Sequence, residues 1–260
     1  MITSVADELS ARRKTVILTS CCLSLLIVSM DATIVNVAIP AIRTDLAATP
    51  SQMQWVVDVY TLVLASLLIL AGAAADRFGR RRVFQIGLSI FAVGSLLCSI
   101  APDIHALIGA RLLQGLGGSM MNPVALSIIS QVFYRPVERA RALGIWGAVV
   151  GVSLALGPVV GGLLIQVVGW RAVFWINLPI CAAAILLTAI FVPETKSATL
   201  RDMDPSGQIL AVLALFGIVF ALIEGPVLGW TNPVLLGIAA AAVMAFLGFL
   251  RYESRRSDPF

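Results

Sequence analysis

Apolar runs alternate along the chain with short connections that hold nearly all of its charge. Each run reaches the roughly 20 residues that a helix needs to cross the hydrocarbon core of a bilayer. The pattern predicts eight spans, at about 15–39, 52–75, 83–101, 105–128, 140–164, 170–192, 206–224 and 233–250. Connections among the first six are short. The segment 193–205 is longer, polar and bounded by Pro193 and Pro205, which reads as a linker between a six-helix bundle at 15–192 and a helix pair at 206–250. The expected fold class is an all-α integral membrane protein with about eight transmembrane helices.

Composition agrees: hydrophobic residues make up 59% of the 260 residues, charged residues 12%, and the mean hydropathy is +0.98, so lipid rather than water solvates most of the chain. Charge then orients the spans. One set of connections and ends holds Arg12, Arg13 and Lys14; Arg77, Arg80, Arg81 and Arg82; Arg135, Arg139 and Arg141; Lys196 and Arg201; and Arg251, Arg255 and Arg256. These are fifteen of the 18 basic residues, and the positive-inside rule puts that side, with the tail 1–14 and the end 251–260, in the cytoplasm. The net charge of +4 therefore reports topology and not a nucleic-acid partner. Arg12, Arg13 and Lys14 ahead of an apolar run could open a secretory signal, but the run continues past Asp31 to Pro40 without a small-residue cleavage site, so it reads as a retained first helix. Cys21, Cys22, Cys98 and Cys181 fall within spans without metal-ligand spacing and read as free thiols.

Three charges fall inside the spans. At the helical rise, Asp31 lies about 13 Å below the outer end of the first span, Arg111 about 10 Å below that of the fourth, and Asp58 about 9 Å down the second. A lone charge at mid-helix costs about 2.5–3.5 kcal/mol on an insertion scale, so such groups face a cavity and pair. An Asp31–Arg111 pair with Asp58 in the same layer meets that requirement. A static pair that locks the bundle and a pair that exchanges a proton both fit the sequence. Arg111, Gly115, Gly118 and Asn122 recur on one face of the fourth span with Gln114 adjacent, and Pro123 interrupts the hydrogen-bond ladder, as a cavity-lining helix tolerates. A plain packing stripe is the other reading. Trp55, Tyr60, Met120 and Met121 offer aromatic or adaptable contacts. Trp170 and Trp175 read as interfacial anchors, Asn177 and Pro179 as a helix-entry device, and Glu224 as part of an exposed outer loop.

Several segments carry a family resemblance. The connection from Gly72 to Arg82 sets Asp76 at the helix end and Gly79 in a tight turn among Arg77, Arg80 and Arg81; it resembles the signature loop between helices two and three of the major facilitator superfamily of secondary transporters. Leu107 to Gly118 resembles the superfamily's helix-four motif, whose arginine, here Arg111, is implicated in proton transfer. In the fifth span, Gly147 and Gly151 form a small-xxx-small pair ahead of Gly157, Pro158, Gly161 and Gly162, a pattern similar to the antiporter motif of drug exporters. Asp31 to Pro40, with Thr33 and Asn36, and Gly169 to Pro179 resemble hallmarks of the fourteen-helix drug:proton antiporters.

The resemblance covers residues 31–179. It implies two inverted three-helix repeats in the bundle, two linker helices after it, and a cell-membrane antiporter that exports lipophilic, often cationic drugs or metabolites by alternating access. The proton is the coupling ion, with no cofactor or metal, and the partners are membrane lipid and a small-molecule substrate. Asp31, Arg111 and Asp58 are the implied proton-coupling residues; Gly72, Asp76, Arg77, Gly79, Arg80 and Arg81 form the cytoplasmic gate; Asn36, Trp55, Gln114, Gly118 and Asn122 are candidates for the substrate cavity. Eight helices correspond to the first half plus the linker pair, so a C-terminal half or a second half-unit is expected to complete the transporter. The alternative is a non-transporting or truncated half that is inert alone or works only with another half. An enzyme is not expected: the lone His105 falls in an outer loop, and neither a His-Glu-x-x-His nor a Gly-x-Ser-x-Gly pattern occurs.

Overall fold

A computed structural model describes residues 9–195 and 205–254. The described residues form α1 (Ala11–Asp45), α2 (Pro50–Phe78), α3 (Arg80–Ser99), α4 (Ile104–Val132), α5 (Pro136–Val167), α6 (Ala172–Trp175), α7 (Asn177–Phe191), α8 (Pro205–Leu228) and α9 (Pro233–Glu253). With α6 and α7 counted together, seven segments are long and apolar enough to cross a membrane, and α2 makes the eighth when its 52° bend between Leu68 and Leu70 is counted within one span. Most of the predicted linker, residues 196–204, and the end 255–260 lie outside the described residues.

Local chemistry sets the helix ends. Ser10 accepts from the Arg13 N–H at 3.3 Å and Asp103 from the Ala106 N–H at 2.9 Å, each satisfying a donor that the first turn leaves open. Thr49 and Gln52 form a reciprocal capping box at the start of α2, with Pro50 in the first turn. Gly79, at φ +109°, joins α2 to α3, a conformation that costs a residue with a Cβ. The sixth span is not continuous: Pro179 has no N–H to give the Trp175 carbonyl, and the helix breaks at Ile176.

α4 runs through the middle, packed on α3 and α2; α1 packs on α5 and α7, and α8 pairs with α9 and meets the bundle through α2. The α3–α4 seam depends on missing side chains, since a Cβ at Gly117 would run into the Phe91 backbone and one at Gly94 would lie 2.8 Å from the Gln114 nitrogen. Two apolar clusters fill the bundle. One holds Ile17, Phe84, Phe91 and Met121, the other Ile34, Val56, Leu107 and Phe174, and the polar side chains described next lie between them. Burial falls away from this axis: 56% of the apolar window of α4 is buried, against 17% in α5 and α8 and 11% in α9.

Candidate functional site

Five fully buried polar side chains from four spans meet between the two clusters: Asp31 on α1, Ser95 on α3, Arg111 and Gln114 on α4, and Asn177 at the start of α7. The Arg111 Nη1 donates to Asp31 Oδ2 and, at 2.7 Å, to Gln114 Oε1, while its Nε donates to the Val56 carbonyl at 3.0 Å. Gln114 Nε2 donates to Asp31 Oδ1 at 3.0 Å and to Ser95 Oγ at 2.8 Å. Asn177 Nδ2 donates to the same Ser95 Oγ at 2.9 Å and reaches Asp31 Oδ1 at 3.4 Å. The Tyr60 ring covers the guanidinium at 4.2 Å. Burying two charges is tolerable only when geometry and added hydrogen bonds replace the lost water, and here both Asp31 oxygens are satisfied. One acceptor is left over, as Asn177 Oδ1 is buried without a partner.

The folding route to this arrangement is local. Arg111 and Gln114 stand three residues apart on one helix face. The close α3–α4 contact at Gly94 puts its neighbour Ser95 beside Gln114, and the break before Asn177 starts a new helix at the depth of Asp31. The expected Asp31–Arg111 pair thus forms, and Gln114 belongs to it. Ser95 and Asn177 do too, although a serine in an apolar span carries no signal and the sequence around Asn177 reads as helix entry. An amide within a run otherwise apolar was the available clue.

Asp58 does not join them. It is half-buried, and no side-chain hydrogen bond or ion pair links it to Asp31 or Arg111 among the described residues. Val56 and Tyr60, one turn apart, face Arg111, and Asp58 between them points to the other side of α2. The cavity candidates scatter as well. Asn36 is exposed and bonds its own helix at the Ala32 carbonyl. Gly118 lies beside Leu64 and the Tyr60 hydroxyl, and Gly115 against the Tyr60 backbone, so the stripe on α4 packs against α2. Asn122 Oδ1 is buried without a partner. Trp55 turns outward to α8, where its Nε1 donates to Glu224 at 2.8 Å. Glu224 is therefore not in an exposed loop: it is half-buried within α8 and also accepts from Ser51 Oγ at 2.6 Å.

On the fifth span only two motif glycines make close contact. A Cβ at Gly157 would strike Thr33 and one at Gly161 would strike Ile34, whereas Gly147, Gly151 and Gly162 have nothing within 4 Å and Pro158 is exposed. In the loop after α2, Asp76 accepts from Arg80 at 2.8 Å, and Gly72, expected to permit close packing, faces open space. Glu194, past the end of α7, accepts from the Arg81 backbone N–H at 3.2 Å and lies 3.7 Å from Arg82. Arg81 donates to the Ala189 carbonyl at 2.6 Å, so the sixth span ties down the loop. At the other end Trp170 is buried, and it and Arg171 both bond Asp45, at 3.0 and 2.8 Å, in a joint between α1 and the start of the sixth span. All four cysteines are free, and Cys22 alone among them is half-buried instead of buried.

A bundle of membrane-length helices closed around a buried ion pair is the architecture of a polytopic membrane protein. The chain belongs to the Major Facilitator Superfamily, whose family profile matches residues 21–252. It is 40% identical over 237 residues to multidrug resistance protein Stp of Mycobacterium tuberculosis, covering 91% of this chain and 44% of that protein. It is 42% identical to the tetracenomycin C resistance and export protein of Streptomyces glaucescens, covering 90% and 44% respectively, and 43% identical to the methylenomycin A resistance protein of Streptomyces coelicolor, covering 89% and 48%. The chain thus spans about half the length of the curated relatives it matches. Its fold is shared with the POT family transporter PepTSo, at TM-score 0.63, 18% identity and coverage of 93% of this chain and 52% of that one. A bacterial homologue of the human lysosomal transporter Spinster has TM-score 0.62, 23% identity and coverage of 95% and 63%.

Proposed function

We propose that this chain carries the proton-coupling half of an antiporter of the cell membrane that exports lipophilic, often cationic small molecules by alternating access. The observation that carries the reading is the sealed Asp31–Arg111 pair, 0% and 1% exposed. A carboxylate held ionised by a guanidinium takes a proton when that cation withdraws and loses it when the cation returns. Arg111 already has a second anchorage at the Val56 carbonyl and the Tyr60 ring, so it can leave Asp31 without being stranded. Asp58, half-buried on the face of α2 turned away from Arg111, is assigned the proton's transit between this centre and water.

The remaining roles follow position. Gly72, Asp76, Arg77, Gly79, Arg80 and Arg81 form a cytoplasmic hinge, with both chain ends on the same side. The open glycine face of α5, Gly147, Gly151 and Gly162, is available to the second half of the transporter, in the same protein or as another half-unit, while Gly157, Pro158 and Gly161 set the α1–α5 seam. Gln114 and Asn122 are assigned to the border of the substrate path near the centre, with Asn36 nearer its outer end, whereas Gly118 and Trp55 are committed to the α2–α4 and α2–α8 contacts. Names of relatives that denote multidrug resistance and antibiotic export support the substrate class.

The test is reconstitution into liposomes, an imposed pH gradient and a fluorescent cationic dye. Gradient-driven dye movement should occur when this half is reconstituted together with the second half of the transporter, and vanish in Arg111→Ala and Asp31→Asn while both variants remain inserted. Unchanged uphill movement in Asp31→Asn would remove the coupling role.

A further inference from the structure

Beyond the buried centre, α2, α8 and α9 enclose a groove of about 360 Å³ lined by Trp55, Leu213, Phe216, Phe220, Ile238 and Ala245 among others. Its walls are apolar and aromatic, and Trp55 and Phe220 stand with ring centroids 5.9 Å apart. Glu224 follows Phe220 by one turn on α8, which sets a carboxylate at one end of the groove. Its two hydrogen bonds, from Ser51 Oγ at 2.6 Å and Trp55 Nε1 at 2.8 Å, both fall on Oε1 and come from neutral donors. No ion pair engages it among the described residues, whereas the carboxylate of Asp31 has its own guanidinium.

A half-buried carboxylate near the end of a span, held only by neutral donors, leaves its countercharge to be supplied from outside the bundle. We propose that this groove binds an organic cation with an apolar body, its charge at Glu224 and its body along Trp55, Phe220 and Phe216. The volume falls in the small-molecule range, and the indole and phenyl faces add attraction for a cation. Trp55 packs on Phe220 and bonds Glu224 of α8, whereas Tyr60 covers Arg111, so the site lies on a different face of α2 from the buried pair. It deepens the export reading by giving cations a membrane-side site distinct from the proton centre, but binding itself needs no gradient and no proton coupling.

The test places the protein in phosphatidylcholine nanodiscs with (4-benzoylbenzyl)trimethylammonium, irradiates it, and maps the adducts by mass spectrometry. The expected adducts lie on residues 213–220 and 238–245. Labelling should fall at least tenfold in Glu224→Gln, which keeps an acceptor for Ser51 and Trp55 but removes the charge. It should fall equally in Ala245→Trp, which fills the groove and leaves the carboxylate. Neutral 4-methylbenzophenone should label the parent and Glu224→Gln alike. Adducts elsewhere, undiminished cation labelling in Glu224→Gln, or cation and neutral probes that label equally would overturn the proposal, the last outcome marking a groove that holds lipid tails only. A failure of dye transport with this labelling intact would count against the export reading alone.

Discussion

Asp31 and Glu224 are both carboxylates inside apolar helices, yet the protein treats them in opposite ways. Asp31 has no exposure and receives a guanidinium and two amides; Glu224 is half-buried and receives a hydroxyl and an indole. Their surroundings differ in the same sense, with 56% of the apolar window of α4 beside Asp31 buried and 17% of that of α8. A charge that neither water nor lipid headgroups can reach must be neutralised by the fold itself. A charge at the rim can leave neutralisation to what arrives from outside. The sealed carboxylate is thus suited to a proton and a moving arginine, the rim carboxylate to an external cation.

The sharpest way to break this contrast is to take away the internal cation. Arg111→Ala leaves Asp31 buried and uncompensated, which costs about 3–5 kcal/mol when one partner of a buried pair is removed. Thermal unfolding in detergent should register that loss. Adding Asp31→Asn in the same chain should restore part of it, because the orphan charge goes. If the double variant is no more stable than Arg111→Ala, the two residues are not energetically paired.

The helices themselves provide a second test with one substitution at two depths. Gly117→Ala pushes a methyl into the Phe91 backbone, and overpacking of this kind costs about 1–3 kcal/mol. Gly237→Ala on α9 meets nothing within 4 Å and should instead be neutral or gain up to about 1 kcal/mol of helix propensity. Equal melting temperatures for the two would contradict the gradient of burial from axis to rim.

Much of this was legible in the sequence because membrane helices announce themselves. Span count and the Asp31–Arg111 pair follow from apolar run length, depth and the cost of a lone charge. What could not be read was azimuth. Depth put Asp58 in the same layer as Asp31, but one turn of α2 offers only one face to Arg111, and Val56 and Tyr60 occupy it. Small polar residues were equally silent. Ser95 in an apolar run looks like filler until α3 closes on α4, and Asn177 looks like a cap until the Pro179 break fixes its depth. Glu224 departs from expectation for a related reason: Gly225 and Pro226 suggest a loop, yet α8 continues to Leu228. A glycine packed under the Trp230 ring and a proline that still allows helix on its C-terminal side kept it helical.

Asn177→Leu probes how far the seal on Asp31 depends on the sixth span. The change removes a good donor to Ser95 at 2.9 Å and a long one to Asp31 at 3.4 Å. It also removes an oxygen that has no partner, so the two effects oppose each other. The net cost should be about 1 kcal/mol, at the low end for a buried hydrogen-bonding group, and clearly below that of Arg111→Ala. A loss as large as that of the arginine variant would mean that Asn177, and not Gln114, holds the second Asp31 oxygen in place.

The smallest effect is expected at the rim. In Glu224→Gln the amide oxygen can still accept from Ser51 and Trp55, so what disappears is the charge and not the clasp. Charged acceptors are worth more than neutral ones in a hydrogen bond, about 1.5–3 against 0.5–1.5 kcal/mol, but part of that advantage is offset because an unpaired carboxylate also gives up water or headgroup contacts to sit there. The two terms are of similar size and opposite sign, and the melting temperature should move by less than about 1 kcal/mol would produce, in either direction. Ser51→Ala together with Trp55→Phe, which removes both donors and keeps the charge, should cost more than Glu224→Gln by this reasoning. If instead the glutamine variant is the more damaged of the two, Glu224 has a cationic partner within the folded protein, and the distinction between a sealed carboxylate and one left open to an external cation no longer holds.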